Sequence, residues 1–262
     1  MATASVALAP ASGRGWLTGF GNMVDKEYGS WWRTRRAWVH LFLWLVVING
    51  FLVLVDLGEE PGNPQALLNE LIEVFFRVCG LFANIGIIVA TQSSVLAERQ
   101  LGTAEWVLSK PVTREAFLLA KLLVGGASFV ALAVVVPSVV FFLQSLLHTY
   151  LQPDLGPFLL GLALHVEYLL FYLALTLALG TLLRSRGAVS GVGLGLALGG
   201  LILLGPFPWL GEWAPFALPA FATVAASGEP LPGGAWQPIL LTLLWSLLFV
   251  LAATWRFDRE EF

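Results

Sequence analysis

Six apolar stretches divide this chain: Ala37–Val55, Ala66–Leu101, Arg114–Leu147, Pro157–Leu183, Ala188–Leu204 and Trp236–Trp255. Each is about as long as the 20 residues that a helix needs to cross a hydrocarbon core, or longer. Backbone in lipid must satisfy its own hydrogen bonds, which leaves helices as the fold for segments of this length. The chain is therefore expected to be an all-α integral membrane protein with six transmembrane helices. Charge content agrees, since 12% of the residues are charged where soluble domains carry about 25%. The second and third stretches exceed a core of about 30 Å at 1.5 Å per residue, so they must tilt or protrude.

The polar residues orient this plan. Thirteen of the 14 Lys and Arg fall at the two termini and in the connections after the second and fourth spans, and only Arg77 lies elsewhere. The opposite connections hold Asp56, Glu59, Glu60, Asp154, Glu212 and Glu229 without a basic residue. The positive-inside rule then places both termini in the cytoplasm of a multi-pass protein of the cell (inner) membrane. Residues 1–14, rich in Ala, Ser and Pro, form an expected disordered tail that lacks the basic start and apolar run of a signal peptide. Residues 15–36 carry Leu17, Phe20, Val24, Tyr28 and Trp31 three or four apart, the pattern of an amphipathic interfacial helix. The permease domain is expected over 37–255, with a cytoplasmic loop at 97–114 and an extracytoplasmic loop at 205–235, followed by a cytoplasmic tail at 256–262. Glycines four apart in the fifth stretch predict a close helix contact. Glu73 and Arg77, one turn apart, can pair.

The most informative polar segment is the loop after the second span. Gly102 suits the left-handed position past a helix end. Thr103 can cap a new helix with Glu105 in its first turn, and Pro111 ends that helix after about two turns. Thr113 is a second candidate cap, followed by Glu115. Trp106, Val107 and Leu108 are the apolar contacts such a stub can offer.

The order Glu98, Gly102-Thr103, Glu105, Leu108-Ser109, Pro111-Val112-Thr113-Arg114 and Lys121 resembles the signature cytoplasmic loop of ABC-2-type transporter permeases. The resemblance implies that this loop holds a coupling helix that docks on an ATPase subunit. It also implies an N-terminal elbow helix, whose Lys-Glu pair would be Lys26-Glu27. The implied complex is an exporter: two permease copies, as a homodimer, on two separate ATPase subunits that hold ATP and Mg, all in contact with membrane lipid. On that reading Gly102 and Pro111 set the ends of the stub, Thr103 and Glu105 its cap and Leu108 an apolar contact. Glu98 and Arg114 are polar anchors at its borders.

The chain itself carries no Gly-x-x-x-x-Gly-Lys-Ser/Thr, so any nucleotide site belongs to another polypeptide. No enzymatic centre is expected. His40, His148 and His165 stand far apart, and Gly187-Ala188-Val189-Ser190-Gly191 has the wrong spacing for a serine nucleophile. The single cysteine, Cys79, excludes an internal disulfide and a multi-thiolate metal site, and a net charge of −3 gives no footing for nucleic acid. Glu167, with Asn49 and Asn84, is the candidate lining of a translocation path, because an intramembrane carboxyl is costly. A structural role competes with that one, and the two asparagines also suit interhelical hydrogen bonds. His165, two residues from Glu167, points to another face. Sparse mid-membrane polarity leans towards an amphipathic cargo. The alternative is a non-transporting six-span scaffold or sensor that anchors a cytoplasmic partner. A secondary transporter ranks third, for want of an inverted repeat.

Overall fold

The computed structural model describes residues 15–58 and 63–259. The expected tail at 1–14, the acidic turn at 59–62 and residues 260–262 lie outside the described residues, as do the side chains of Asp56, Glu105, Leu108 and His148. The described elements are helical, and six are long and apolar enough to cross a membrane. In chain order these and their companions are α1 (Phe20–Trp32), α2 (Arg35–Val55), α3 (Pro64–Gln100), α4 (Thr103–Leu108), α5 (Arg114–Leu147), α6 (Leu155–Leu182), α7 (Arg186–Leu204), α8 (Leu210–Trp213), α9 (Leu218–Ala226) and α10 (Trp236–Asp258).

α6 is the centre of the bundle. Its apolar residues cover the whole circumference, the pattern of a helix buried on all sides. Sixty-one per cent of its most apolar window is buried, against 22% in each of α2, α7 and α10. α3, α9 and α10 pack around it. The hydroxyls of Thr176, Ser138 and Thr242 lie inside the bundle and donate to carbonyls one turn back, at Tyr172, Val134 and Pro238. Buried hydroxyls are thereby satisfied within their own helices.

Three spans carry a π-helical turn near their middle, at Leu45–Asn49, Cys79–Ala83 and Ala131–Val135. The third precedes Pro137, whose missing N–H disturbs the regular ladder. Asn49 on α2 donates to the Pro137 carbonyl at 3.0 Å and to Gln144 Oε1 at 2.9 Å, and Gln144 Nε2 donates back to the Asn49 carbonyl at 3.2 Å. This reciprocal pair fastens α2 to α5.

α3 breaks at residues 92–95 before its last turn, Leu96–Gln100. There Ser94 N–H turns to the Thr91 carbonyl, and Arg36 reaches across from α2 to donate to the Ala90 carbonyl at 2.9 Å. The same guanidinium lies 3.8 Å over the Trp31 ring.

The connection 205–235, expected as an extracytoplasmic loop, is largely folded into the bundle. α9 buries Leu218, Ala222, Ala225 and Ala226 against α3 and α6. Its approach to α6 is tight: a Cβ on Gly161 would stand 2.5 Å from the Ala222 carbonyl oxygen. Trp209 and Trp213 stay exposed. In α7, Gly193 abuts Ile88 and Gly200 abuts Phe216, whereas Gly191, Gly195 and Gly199 face nothing within 4 Å among the described residues.

α1 rests along α5 rather than standing apart from the bundle. Met23 and Trp31 are its buried residues, and Tyr28, expected on the apolar stripe, is half exposed and stacks on Trp32.

Candidate functional site

The loop between α3 and α5 is assembled from three kinds of contact, all at the end of the bundle that holds both described chain ends. α3 closes at Gly102, which adopts φ +67°, the left-handed region that glycine enters without strain. Its carbonyl accepts from Trp106 N–H at 3.3 Å, so Gly102 itself occupies the capping position of α4. Thr103, expected as that cap, is instead the first helical residue, and its hydroxyl turns back to donate to the Glu98 carbonyl at 3.3 Å. A capping residue needs non-helical backbone, which the left-handed Gly102 supplies and the helical Thr103 does not. At the other end Ser109 Oγ donates to the Trp106 carbonyl, and Pro111 follows the last turn. Thr113 caps α5 as expected, accepting from Ala116 N–H.

α4 contributes Val107 to the interior and leaves Trp106 66% exposed, with Lys110 Nζ 5.2 Å above its ring. The backbone of Glu105 and Leu108 is helical; their side chains are outside the described set.

The flanks of α4 are held by backbone carbonyls of distant elements. Arg114 donates to the carbonyls of Phe257 and Asp258, which end α10. Arg99 donates to the carbonyls of Gly180 at 2.9 Å and Leu183 at 3.4 Å, and Gln100 to that of Arg184, so together they close α6. Helix C-termini leave carbonyls unsatisfied and carry partial negative charge, and a guanidinium answers both. Thr113 bonds to the carbonyls of Trp16 and Thr18 ahead of α1. Gly19, at φ +80°, lets that segment lie against Val112, where a Cβ would be 2.7 Å from Val112 Cγ2. Arg99 and Gln100 were not singled out in the sequence. Their signal was indirect: α6 ends on Leu182-Leu183 with neither a glycine nor a polar cap of its own.

Beneath the loop lies a cluster of two lysines and two glutamates. Lys121, whose side chain is 3% exposed, stands 2.8 Å from Glu27 Oε1 and 2.6 Å from Glu98 Oε1. Lys26 meets the same Glu98 oxygen at 2.7 Å. Four opposing charges sum to zero, which is how charges tolerate burial. The Phe117 ring lies 4.9 Å below Lys121 Nζ and stacks on Phe257. Elements α1, α3, α5 and α10 thus converge where α4 emerges.

The intramembrane candidates separate. Asn49 is committed to Gln144 and Pro137. Asn84 donates to Tyr168 OH at 2.9 Å and lies on the wall of a cavity of about 530 Å³ between α3, α7 and α9. Glu167 is half buried and lies off that wall, with Oε1 lacking a hydrogen-bond partner. His165 is fully buried beside Phe76, on a different face from Glu167.

A bundle of six membrane-length helices, with most of its described charged contacts gathered at one end, defines a polytopic membrane protein. Residues 22–262 match the family model described as ABC-2 family transporter protein, and the chain belongs to that family. It is therefore a membrane component of a transporter. It is also similar to an uncharacterized transmembrane protein, YxlG, of Bacillus subtilis (strain 168), at 24% identity over 91% of this chain and 97% of the relative.

Proposed function

We propose that this chain is the permease subunit of an ATP-driven exporter, with α4 as the helix that receives motion from a separate ATPase subunit. The observation that carries this reading is the position of α4. Its flanks are tied to the ends of α6 and α10 and to the segment before α1, while Trp106 projects outward. A push on α4 is passed to those helices instead of being absorbed in a loose loop.

Two ATPase copies would bring ATP and Mg, and a second copy of this chain would complete a homodimer. The loop and both termini then face the cytoplasm across the cell (inner) membrane, where 13 of the 14 basic residues lie. Glu98, Gly102, Thr103, Glu105, Leu108, Pro111 and Arg114 are the proposed coupling residues.

The test is purification from the native membrane in mild detergent, with mass spectrometry of what stays bound. A stoichiometric ATPase, lost when residues 103–110 become a Gly/Ser linker, supports the reading. An assembled complex whose ATP hydrolysis ignores every transported compound would make the chain a scaffold instead.

A further inference from the structure

Arg77 is the single basic residue away from the basic end of the bundle. It lies on the wall of the 530 Å³ cavity between α3, α7 and α9, beside Glu73, with which it forms an ion pair. The guanidinium side chain is 75% exposed and the carboxylate 45%. An exposed ion pair next to hydrocarbon is costly unless polar partners reach it.

The rest of the wall is chiefly apolar, with Leu81 and Ile85 on α3, Leu201 on α7 and Phe216 ahead of α9. Small residues make the void: Gly80, within the Cys79–Ala83 π-turn, Ala197 and Ala220. Its wall on α3 runs from Glu73 to Ile85, about 18 Å at 1.5 Å per residue, a little over half of a hydrocarbon core of about 30 Å. That elongated shape, with a volume of about 530 Å³, suits a hydrocarbon chain lying lengthwise along α3. Leu198 and Leu201 belong to the wall and are also exposed on the bundle surface, so the cavity meets the bilayer sideways. Asn84 and Tyr168, bonded to each other, line its inner part.

We infer that this cavity binds an amphiphile with a zwitterionic head group, the head at Glu73 and Arg77 and an acyl chain along Leu81, Ile85 and Leu201. The inference extends the exporter reading by naming the class of molecule that a permease copy would hold. A zwitterion offers an anion to the guanidinium and a cation to the carboxylate at once. A purely anionic head would set its charge against Glu73, and an uncharged head would add no charged partner to either side of the pair.

The experiment uses the purified full chain in phosphatidylcholine nanodiscs and a lysophosphatidylcholine with a photoactivatable diazirine in its tail. Labelled peptides are mapped by mass spectrometry. Two further probes carry the same tail on a monoacylglycerol and on a lysophosphatidylglycerol. Saturable labelling of α3 and α7 within residues 80–85 and 197–204, strongest for the zwitterionic head, is the expected result. Arg77→Gln should weaken it about tenfold, the loss of one charge-assisted hydrogen bond, and erase the preference over the uncharged head. Ala220→Trp, at an exposed site on α9, should fill the cavity and abolish labelling with the melting temperature unchanged.

Labelling that spreads over α2 and α10 without saturating overturns the inference, as does an Ala220→Trp variant that labels like the parent. So does efficient disulfide cross-linking between copies through Leu201→Cys, which would make the cavity wall a subunit interface. Adding the ATPase subunit and ATP distinguishes two sources of the ligand: loss of label marks cargo, and retention marks a resident lipid in the same site. Binding needs no ATPase. Saturable labelling with no ATPase partner would therefore sink the exporter reading alone, and ATP-coupled turnover with diffuse labelling would sink the cavity alone.

Discussion

Lys121 joins two helices beneath the loop through one buried ammonium. Nearly sealed from solvent, it bonds Glu27 and Glu98, which lie on different helices. Lys121→Met should lower stability by about 3 kcal/mol, because two carboxylates lose their shared cation. Thermal unfolding in detergent, followed by tryptophan fluorescence, reads the change. Adding Glu98→Gln should recover part of it, and strictly additive losses would show that the two residues are not coupled. Gly102 is a different case. Among the described residues a Cβ there meets nothing within 4 Å, so the cost of substitution is set by backbone strain, about 1–2 kcal/mol for a residue that disfavours left-handed geometry. Gly102→Val should insert normally yet lower ATP hydrolysis in the complex, and Gly102→Asn should do so less. Equal activity for both would separate the turn from coupling. These residues were legible in the sequence, by type and order. Their partners were not: Glu27 is 94 positions from Lys121, and no local rule pairs them.

Between residues and the whole, the short helix α4 and the hairpin element α9 show two kinds of legibility. α4 was visible because glycine and proline punctuate it on both sides, and backbone rules act locally. Replacing the exposed Trp106 by Ala should leave the melting temperature unchanged and weaken ATPase association, measured as retention on an affinity column. Unchanged retention would move the docking contact elsewhere. Arg114→Ala should raise amide hydrogen exchange in the last turn of α10, where its guanidinium now holds two carbonyls. Exchange that stays constant there would make the clasp dispensable. α9 escaped notice for a physical reason. Its prolines, Pro215 and Pro219, look like loop punctuation but sit at helix starts, where the missing N–H costs nothing. What fixes α9 is its seat on α3 and α6, a tertiary fact.

Over the whole molecule, the bilayer makes the count of spans legible, because an unpaired backbone in lipid is so costly that hydrophobic length alone reveals each helix. Lateral order is set by packing, and it turns on positions such as Gly161. Gly161→Val would drive a side chain into the Ala222 carbonyl, a backbone atom that cannot swing aside. About 1–3 kcal/mol is the usual loss for such overpacking, and limited proteolysis should then cut within 205–235. Resistance equal to the parent's would mean that α9 is held by other contacts. The three π-turns also escaped the sequence reading, since only the third has a nearby marker, Pro137, and the apolar runs around the other two do not show where a helix takes an extra residue.

The reach of Arg114 and Arg99 has a bearing on how the protein is made. Arg114 holds carbonyls 143 and 144 positions further on, and Arg99 holds one 81 positions on. A ribosome that has delivered five spans has already produced α4, yet the sockets that hold one of its flanks are still to be synthesised. The proposed docking surface is thus among the last features to take shape, although it lies in the first half of the chain. A partner that recognises the finished surface would ignore truncated or half-inserted copies, and assembly would itself inspect the chain for completeness.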